Sequence, residues 1–240
     1  MDLSDLSSVR AAASALNERH TVHCLINNAG VFSMGAPRSE TSDGHEAHLG
    51  TNCLAPFLLT LLALPALRRA GGGARVVNVA SILHELAFDA GAMLADMQVK
   101  RSYSPLRAYA QSKLAEVMLT AELAERLDAS EVSVVSLHPG NVVTDVVRTL
   151  PPLIQSAYRC VMSGMLLTPS EGARAQLHAA TCEPRGAPRS GAHLGSDGCV
   201  CESNPLAADA ALRRRVWDEC ERLCGLTQGE AAELLRASGS

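Results

Sequence analysis

Three short apolar runs constrain the fold of this chain more than any other feature: VHCLI at 22–26, RVVNVA at 75–80 and VSVVSL at 132–137. Each is close to continuous rather than alternating. A strand made from such a run is apolar on both faces and has to be covered on both. Helix-length stretches separate the runs. Residues 4–19 read as a helix with Ser or Asp as its cap and an Ala-rich body. Residues 41–70 read as one long helix, bent at Pro56 and stopped by Gly71-Gly72-Gly73. Ser104-Pro105 opens another helix that runs to about Asp128. TPSE at 168–171 is a capping box with Pro in the first turn. GAHL at 191–194 reads as a last strand and 207–223 as an amphipathic helix. This alternation predicts an α/β fold with a parallel sheet, in a single domain over residues 1–240.

Composition narrows the function classes. A hydrophobic fraction of 47% excludes general disorder, and with only 3% aromatics the core must be built from Ala, Val, Leu and Ile. The net charge of −4, with no Lys/Arg block, gives no surface for nucleic acid. The eight cysteines are Cys24, Cys53, Cys160, Cys182, Cys199, Cys201, Cys220 and Cys224. The C-terminal four lack C-x2-C spacing, so free thiols in a reducing compartment are expected over a zinc module. The opening MDLSDLSS does not read as a signal peptide. LAPFLLTLLALPAL, at 54–67, is shorter than the ~20 residues of a membrane span. The expectation is a cytoplasmic protein, with attachment to the endoplasmic reticulum membrane as the alternative.

Parallel sheets bind ligands beyond the carboxyl ends of their strands. The polar residues of interest fall there: Asn27-Asn28 after the first run, Ser81 after the second, Pro139-Gly140 after the third. The helix after Ser104 carries AYAQSKL at 108–114, which puts Tyr109 and Lys113 on one face at i and i+4. An ammonium beside a phenol lowers the phenol's pKa from its usual ~10, which suits proton transfer. Taken alone, such a pair is more often just one aromatic and one solvated cation on a helix.

Five stretches together resemble the short-chain dehydrogenase/reductase family: NNAG at 27–30, TNCLAPFLLT at 51–60, VVNVAS at 76–81, YAQSK at 109–113 and HPGNVVT at 138–144. TSDGHEAHLGTN, YSPLRAYAQSKLAE and NPLAADAALRRRVWDECERLCGL are similar to the branch that includes retinol dehydrogenases and enzymes of long isoprenoid alcohols. The resemblance implies a Rossmann-like, doubly wound sheet and an NADP- or NAD-dependent oxidoreductase interconverting a hydrophobic alcohol and its carbonyl. It implies that Tyr109 handles the proton and that Lys113 favours the phenolate and binds the nicotinamide ribose. Ser81 would hold the substrate oxygen. Asn52 would bend its helix and hold a water linking Lys113 to solvent. Asn28, Ala29 and Gly30 would line the adenine-ribose side, with Pro139, Gly140 and Thr144 against the nicotinamide and Asp2 against the adenine. Asn27 and Asn78 are expected to be structural, and His84 and His138 to have no catalytic part.

The family also implies a T-G-x3-G-x-G turn after a first strand. The sequence has none, since GGGARV at 71–76 precedes a strand rather than a helix. The expectation is a sheet lacking its first βαβ portion, with the strand at 22–26 left as an edge. The second hypothesis is therefore a catalytically inactive, N-terminally truncated isoform that binds or regulates full-length relatives. The helices at 41–70 and 104–127 would supply a homodimer face, and membrane association would belong to longer relatives. Met93, Leu94, Leu153, Ile154, Met162 and Met165 would line a substrate pocket or else be ordinary helix core.

Overall fold

The three apolar runs form three neighbouring strands of a four-stranded parallel sheet in a computed structural model of the chain, which describes residues 1–87, 89–140, 167–183 and 186–236. The strands are β1 (Cys24–Asn27), β2 (Ala74–Val79), β3 (Val132–Leu137) and β4 (His193–Leu194), and they lie in the sheet in that order. The described helices are α1 (Leu6–Arg19), α2 (Ala55–Arg68), α3 (Ala90–Ala95), α4 (Pro105–Arg126), α5 (Pro169–Thr181), α6 (Ala210–Leu223) and α7 (Gln228–Arg236).

The caps read in the sequence are where they were expected. Asp5 accepts from the Ser7 and Ser8 amides at the start of α1. Ser104 caps α4 with Pro105 in its first turn. Thr168 and Glu171 form a reciprocal capping box on α5.

The expected helix over 41–70 is corrected. Residues 41–46 instead form a turn, because Gly44 has φ +79° and Thr41 N–H donates to the His45 carbonyl at 2.8 Å. Asp43 is then spent accepting the Leu6 amide at 2.9 Å. A π-helical segment, Leu49–Leu54, precedes α2, and Pro56 sits harmlessly in the first α turn. The helices α3 and α7 are additions to the sequence reading. TQGE at 227–230 is a second capping box, with Thr227 Oγ1 accepting the Glu230 amide at 3.2 Å, and it signals α7.

Alternate residues of the central strands enter two separate cores. Val76, Val132 and Val134 pack with α1, α2, α4 and α6 around the fully buried Trp217. Val77, Val79, Val135 and Leu137 pack with Ala175 and Ala179 of α5 on the other face. Helices on both faces make the fold α/β and Rossmann-like. β1 is an edge strand, as expected, and Ile26 is 37% exposed.

Met93 and Leu94 join the main core rather than a pocket. Leu153, Ile154, Met162 and Met165 lie outside the described residues. The segment Leu49–Arg68 is long and apolar enough to cross a membrane by length and composition, but 89% of it is buried inside the protein. α1 and α7 pack on α2, and α6 packs on α4, so much of the helix surface expected to form a homodimer face is taken up within the chain.

Candidate active site

Tyr109 and Lys113 share a face of α4, but their surroundings differ. The Tyr109 ring stacks on Phe32, with centroids 4.3 Å apart and planes at 22°. His48 meets it edge-on at 6.0 Å. His48 is itself fixed. Its Nδ1 bonds Glu46 Oε1 at 2.7 Å and its Nε2 accepts the Ser33 amide at 3.2 Å. Glu46 Oε2 also accepts the Leu49 amide at 2.9 Å, which ties this group to the start of the π-helical segment.

Lys113 is buried. Its Nζ donates to the Val79 carbonyl at 2.7 Å and to Glu116 Oε2 at 2.8 Å. Burial works hardest against the ammonium, but the Glu116 carboxylate and the Tyr109 phenol together hold Lys113 above its ordinary value. An ammonium has three protons to donate, and these two bonds use two of them.

Asn52 lies within the π-helical segment and is almost fully buried. Its Oδ1 accepts the Val31 amide at 2.7 Å, and its Nδ2 donates to the Val31 carbonyl at 2.9 Å and to Ser112 Oγ at 3.3 Å. The wide turn is closed by the Ala55 amide donating to the Gly50 carbonyl. Gly30 is the point where this helix, the loop after β1 and α4 meet. A Cβ there would lie 3.0 Å from Asn52 Oδ1 and 3.7 Å from Lys113 Nζ. The atoms nearest such a Cβ belong to protein side chains of two other elements.

Ser81 follows β2 in extended conformation and caps a short 3₁₀ turn, Ile82–Leu86, accepting the Leu83 amide at 3.2 Å. Pro139 and Gly140 follow β3. Gly140 has φ +79°, a left-handed conformation that favours glycine, and a Cβ on it would also press on Leu167 Cδ1 at 2.8 Å. Asn28, Ala29 and Gly30 are exposed after β1, and Asn28 Oδ1 accepts from Gln176 of α5 at 3.0 Å. Asp2 is exposed and accepts the Ser4 amide and hydroxyl, both at 2.8 Å; neither bond ties it to the Asn52–Lys113 group. Thr144 lies outside the described residues.

A polar row runs across the carboxyl end of the sheet, with Asn27, Asn78, Ser136 and His193 in register on neighbouring strands. Asn27 Nδ2 donates to Asn78 Oδ1 at 2.8 Å and to Thr60 of α2 at 2.9 Å, and Asn78 Nδ2 donates to Thr120 of α4 at 2.8 Å. Asn27 and Asn78 thus tie strands to helices, as expected of them. His84 is also satisfied: Nδ1 bonds the Ser81 carbonyl at 2.6 Å and Nε2 accepts the Asn204 amide at 3.2 Å. Among the described residues no three His, Cys, Asp or Glu side chains converge as metal ligands.

The lysine proton left over, the Gly140 turn after β3 and the exposed residues after β1 would suit the nicotinamide-ribose end of a dinucleotide. The described residues offer no glycine cradle for its pyrophosphate. Phe32, the Glu46–His48 pair and Glu116 escape a reading by motif. Only Glu116 leaves a sequence signal, by standing at i+7 from Tyr109 and i+3 from Lys113.

The family model for short chain dehydrogenases matches residues 1–153. The polyprenol dehydrogenase of Mus musculus is 40% identical over 239 residues, covering 96% of this chain and 69% of its own length. Retinol dehydrogenase 12 of Homo sapiens is 40% identical over 229 residues, covering 93% and 68%. The dehydrogenase/reductase SDR family member FEY of Arabidopsis thaliana is 36% identical, covering 98% of this chain and 65% of its own length. The chain thus spans about two thirds of the length of these relatives. Among solved structures, a Mycobacterium paratuberculosis protein superposes with a TM-score of 0.70 at 32% identity, covering 94% of this chain and 74% of that one. NADPH-bound carbonyl reductase from chicken fatty liver superposes with a TM-score of 0.57 at 26% identity, covering 85% and 75%. The chain belongs to the short-chain dehydrogenase/reductase family of NAD(P)-dependent oxidoreductases, on the side of its retinol- and polyprenol-dehydrogenase-like members.

Proposed function

We propose that this chain interconverts a hydrophobic alcohol, retinol- or polyprenol-like, and its carbonyl, with NADP or NAD as cofactor. The observation that carries the reading is the meeting of Gly30, Asn52 and Lys113 at one point beside α4, brought together from three separate elements. A nicotinamide dinucleotide, when bound, supplies or accepts the hydride. The protein's own groups do the rest. Tyr109 exchanges the proton with the substrate oxygen, its ring held by Phe32 and His48. Lys113 keeps a proton for a ribose hydroxyl and lends the phenol a positive neighbour. Ser81 positions the substrate oxygen. Asn52 fixes the loop after β1 against α4 and, through its π-helical turn, leaves a backbone carbonyl for a water leading to Lys113. Asn28, Ala29, Pro139, Gly140 and Thr144 line the cofactor, and Asp2 stands on the adenine side. The free thiols fit a reducing compartment, the cytoplasm or the cytoplasmic face of a membrane.

The test is a fluorescence titration of the whole chain with NADPH and NADH, after circular dichroism has shown it folded. Saturable binding that is lost in Lys113→Ala supports the reading. With binding in hand, Tyr109→Phe should lower turnover at least ~100-fold while the fold is kept. A folded chain with no binding up to millimolar cofactor removes it. That outcome favours a second reading, a non-catalytic partner of longer relatives, which rests on the free edge of β1 and its exposed Ile26. Mixed complexes with a full-length relative in a pull-down would then be expected.

A further inference from the structure

Glu116 stands one helical turn beyond Lys113, on the face of α4 that also carries Tyr109. The Glu116 and Lys113 side chains are each 5% exposed and bond at 2.8 Å. Other polar groups near the pair come from several elements. β2 contributes the Val79 carbonyl and the Asn78 amide, α2 the Thr60 hydroxyl, and the π-helical segment the Cys53 thiol. The Lys113 ammonium is the one cation acting on Glu116 among the described residues. Glu116 also borders a cavity of about 20 Å³ with Cys53, Thr60 and Asn78, room for a single water.

We propose that Glu116 is a positioning residue for the Tyr109–Lys113 pair, its carboxylate holding the ammonium and setting how much positive charge the phenol feels. The inference rests on the reading of Tyr109 as the proton-handling group. In a site of low effective dielectric a contact ion pair presents little net charge to a third group, whereas an uncompensated ammonium presents a full one. The carboxylate is also poised to change charge in the working range. Burial pushes Glu116 up to about 7, against the opposing pull of Lys113. Above that value the ion pair is compensated, and below it the ammonium stands alone.

The test is an ultraviolet titration of the Tyr109 phenol in the chain without cofactor, taken as the difference between each protein and its Tyr109→Phe counterpart. The phenol midpoint should fall by about one pH unit in Glu116→Gln, the lower end of what a nearby opposite charge produces. In a Lys113→Met background the same substitution should move it little. A folded Glu116→Gln with an unchanged or raised midpoint overturns the inference, and so does a fall that persists without Lys113. Should Glu116→Gln fail to fold, carbon-13 NMR of glutamate carboxyls in the unaltered protein replaces it. One carboxyl titrating near 7, and absent from that region in Glu116→Asp, supports the inference. Glutamates that all titrate in the ordinary carboxylate range overturn it. None of these readings needs bound cofactor, so a chain that fails to bind NADPH removes the enzyme reading and leaves the phenol titration to decide this one.

Discussion

The two faces of the sheet are built to different depths. On one, α2 and α4 lie on the strands and are themselves covered by α1, α6 and α7, so Trp217, Leu58 and Leu64 are completely enclosed. On the other, among the described residues, α5 alone covers Val77, Val79, Val135 and Leu137. At β1 that cover thins, Cys24 being half-buried and Ile26 exposed. The polar machinery belongs to the deep face. Lys113, Glu116, Asn52 and Asn78 are all buried there, and each has a hydrogen-bond partner at hand. A buried ammonium needs hydrogen-bond partners and a thick surround, and the deep face provides both.

The contrast can be broken most easily at its deepest point. Trp217→Ala removes a ring packed edge-on against Phe57 at 4.8 Å and lying under the Arg126 guanidinium at 4.2 Å. It should cost about 3–5 kcal/mol in chemical denaturation, enough to unfold a protein of ordinary stability. A smaller loss, near that of an exposed aromatic, would mean the deep core is not the stabilising one.

Acid should loosen the deep face at its polar row. Burial, with His84 and His138 adding to it, holds His193 down to about 3. Its folded pKa is below the unfolded value of ~6.5, so the neutral ring is the stable one in the folded protein. That contribution is complete above pH 6.5 and is lost as the pH falls from there toward about 3. Melting temperature should therefore drop over that window by an amount worth a few kcal/mol, on the order set by such shifts. His193→Gln should flatten the curve. An equally steep curve in that variant would place the acid sensitivity elsewhere.

On the shallow face, Leu137→Ala should cost roughly 2–3 kcal/mol, the low end for a buried leucine, because a small cluster under one helix can settle into the gap. Asn78→Ala, which takes one partner each from Asn27 and Thr120, should cost about 1–3 kcal/mol, and Asn78→Asp should not restore it. Ile26→Thr, at the open edge, should change stability by no more than ~0.5 kcal/mol. It should also reduce any concentration-dependent association seen by light scattering. An unaltered association would show that the β1 edge is not the sticky surface.

Much of this fold is legible along the chain because it is written in local chemistry. The runs at 75–80 and 132–137 are β2 and β3 to within a residue, and Asp5, Ser104 and Thr168 cap the helices they precede. The long helix at 41–70 was misread for the opposite reason. Its first turn is undone by Gly44 and by the distant pull of Leu6 on Asp43, which no local pattern reveals. α7 is announced by its capping box, whereas α3, at six residues, is too short to show a helical period.

By itself the sequence determined which side chains could do chemistry and on which elements they stand, because spacing on a helix and position at a strand end are local properties. That is why Tyr109, Lys113 and Ser81 stand out by spacing and strand-end position, while Asn52 rests on the family resemblance. Only the tertiary structure decided what surrounds them. Phe32 lies on the Tyr109 ring, Gly30 clears the way for Asn52, and the Lys113 ammonium is turned toward Glu116 in a buried pair. Charge and burial at one point are set by elements far apart in the chain, and those are the quantities that tune an acid or a base.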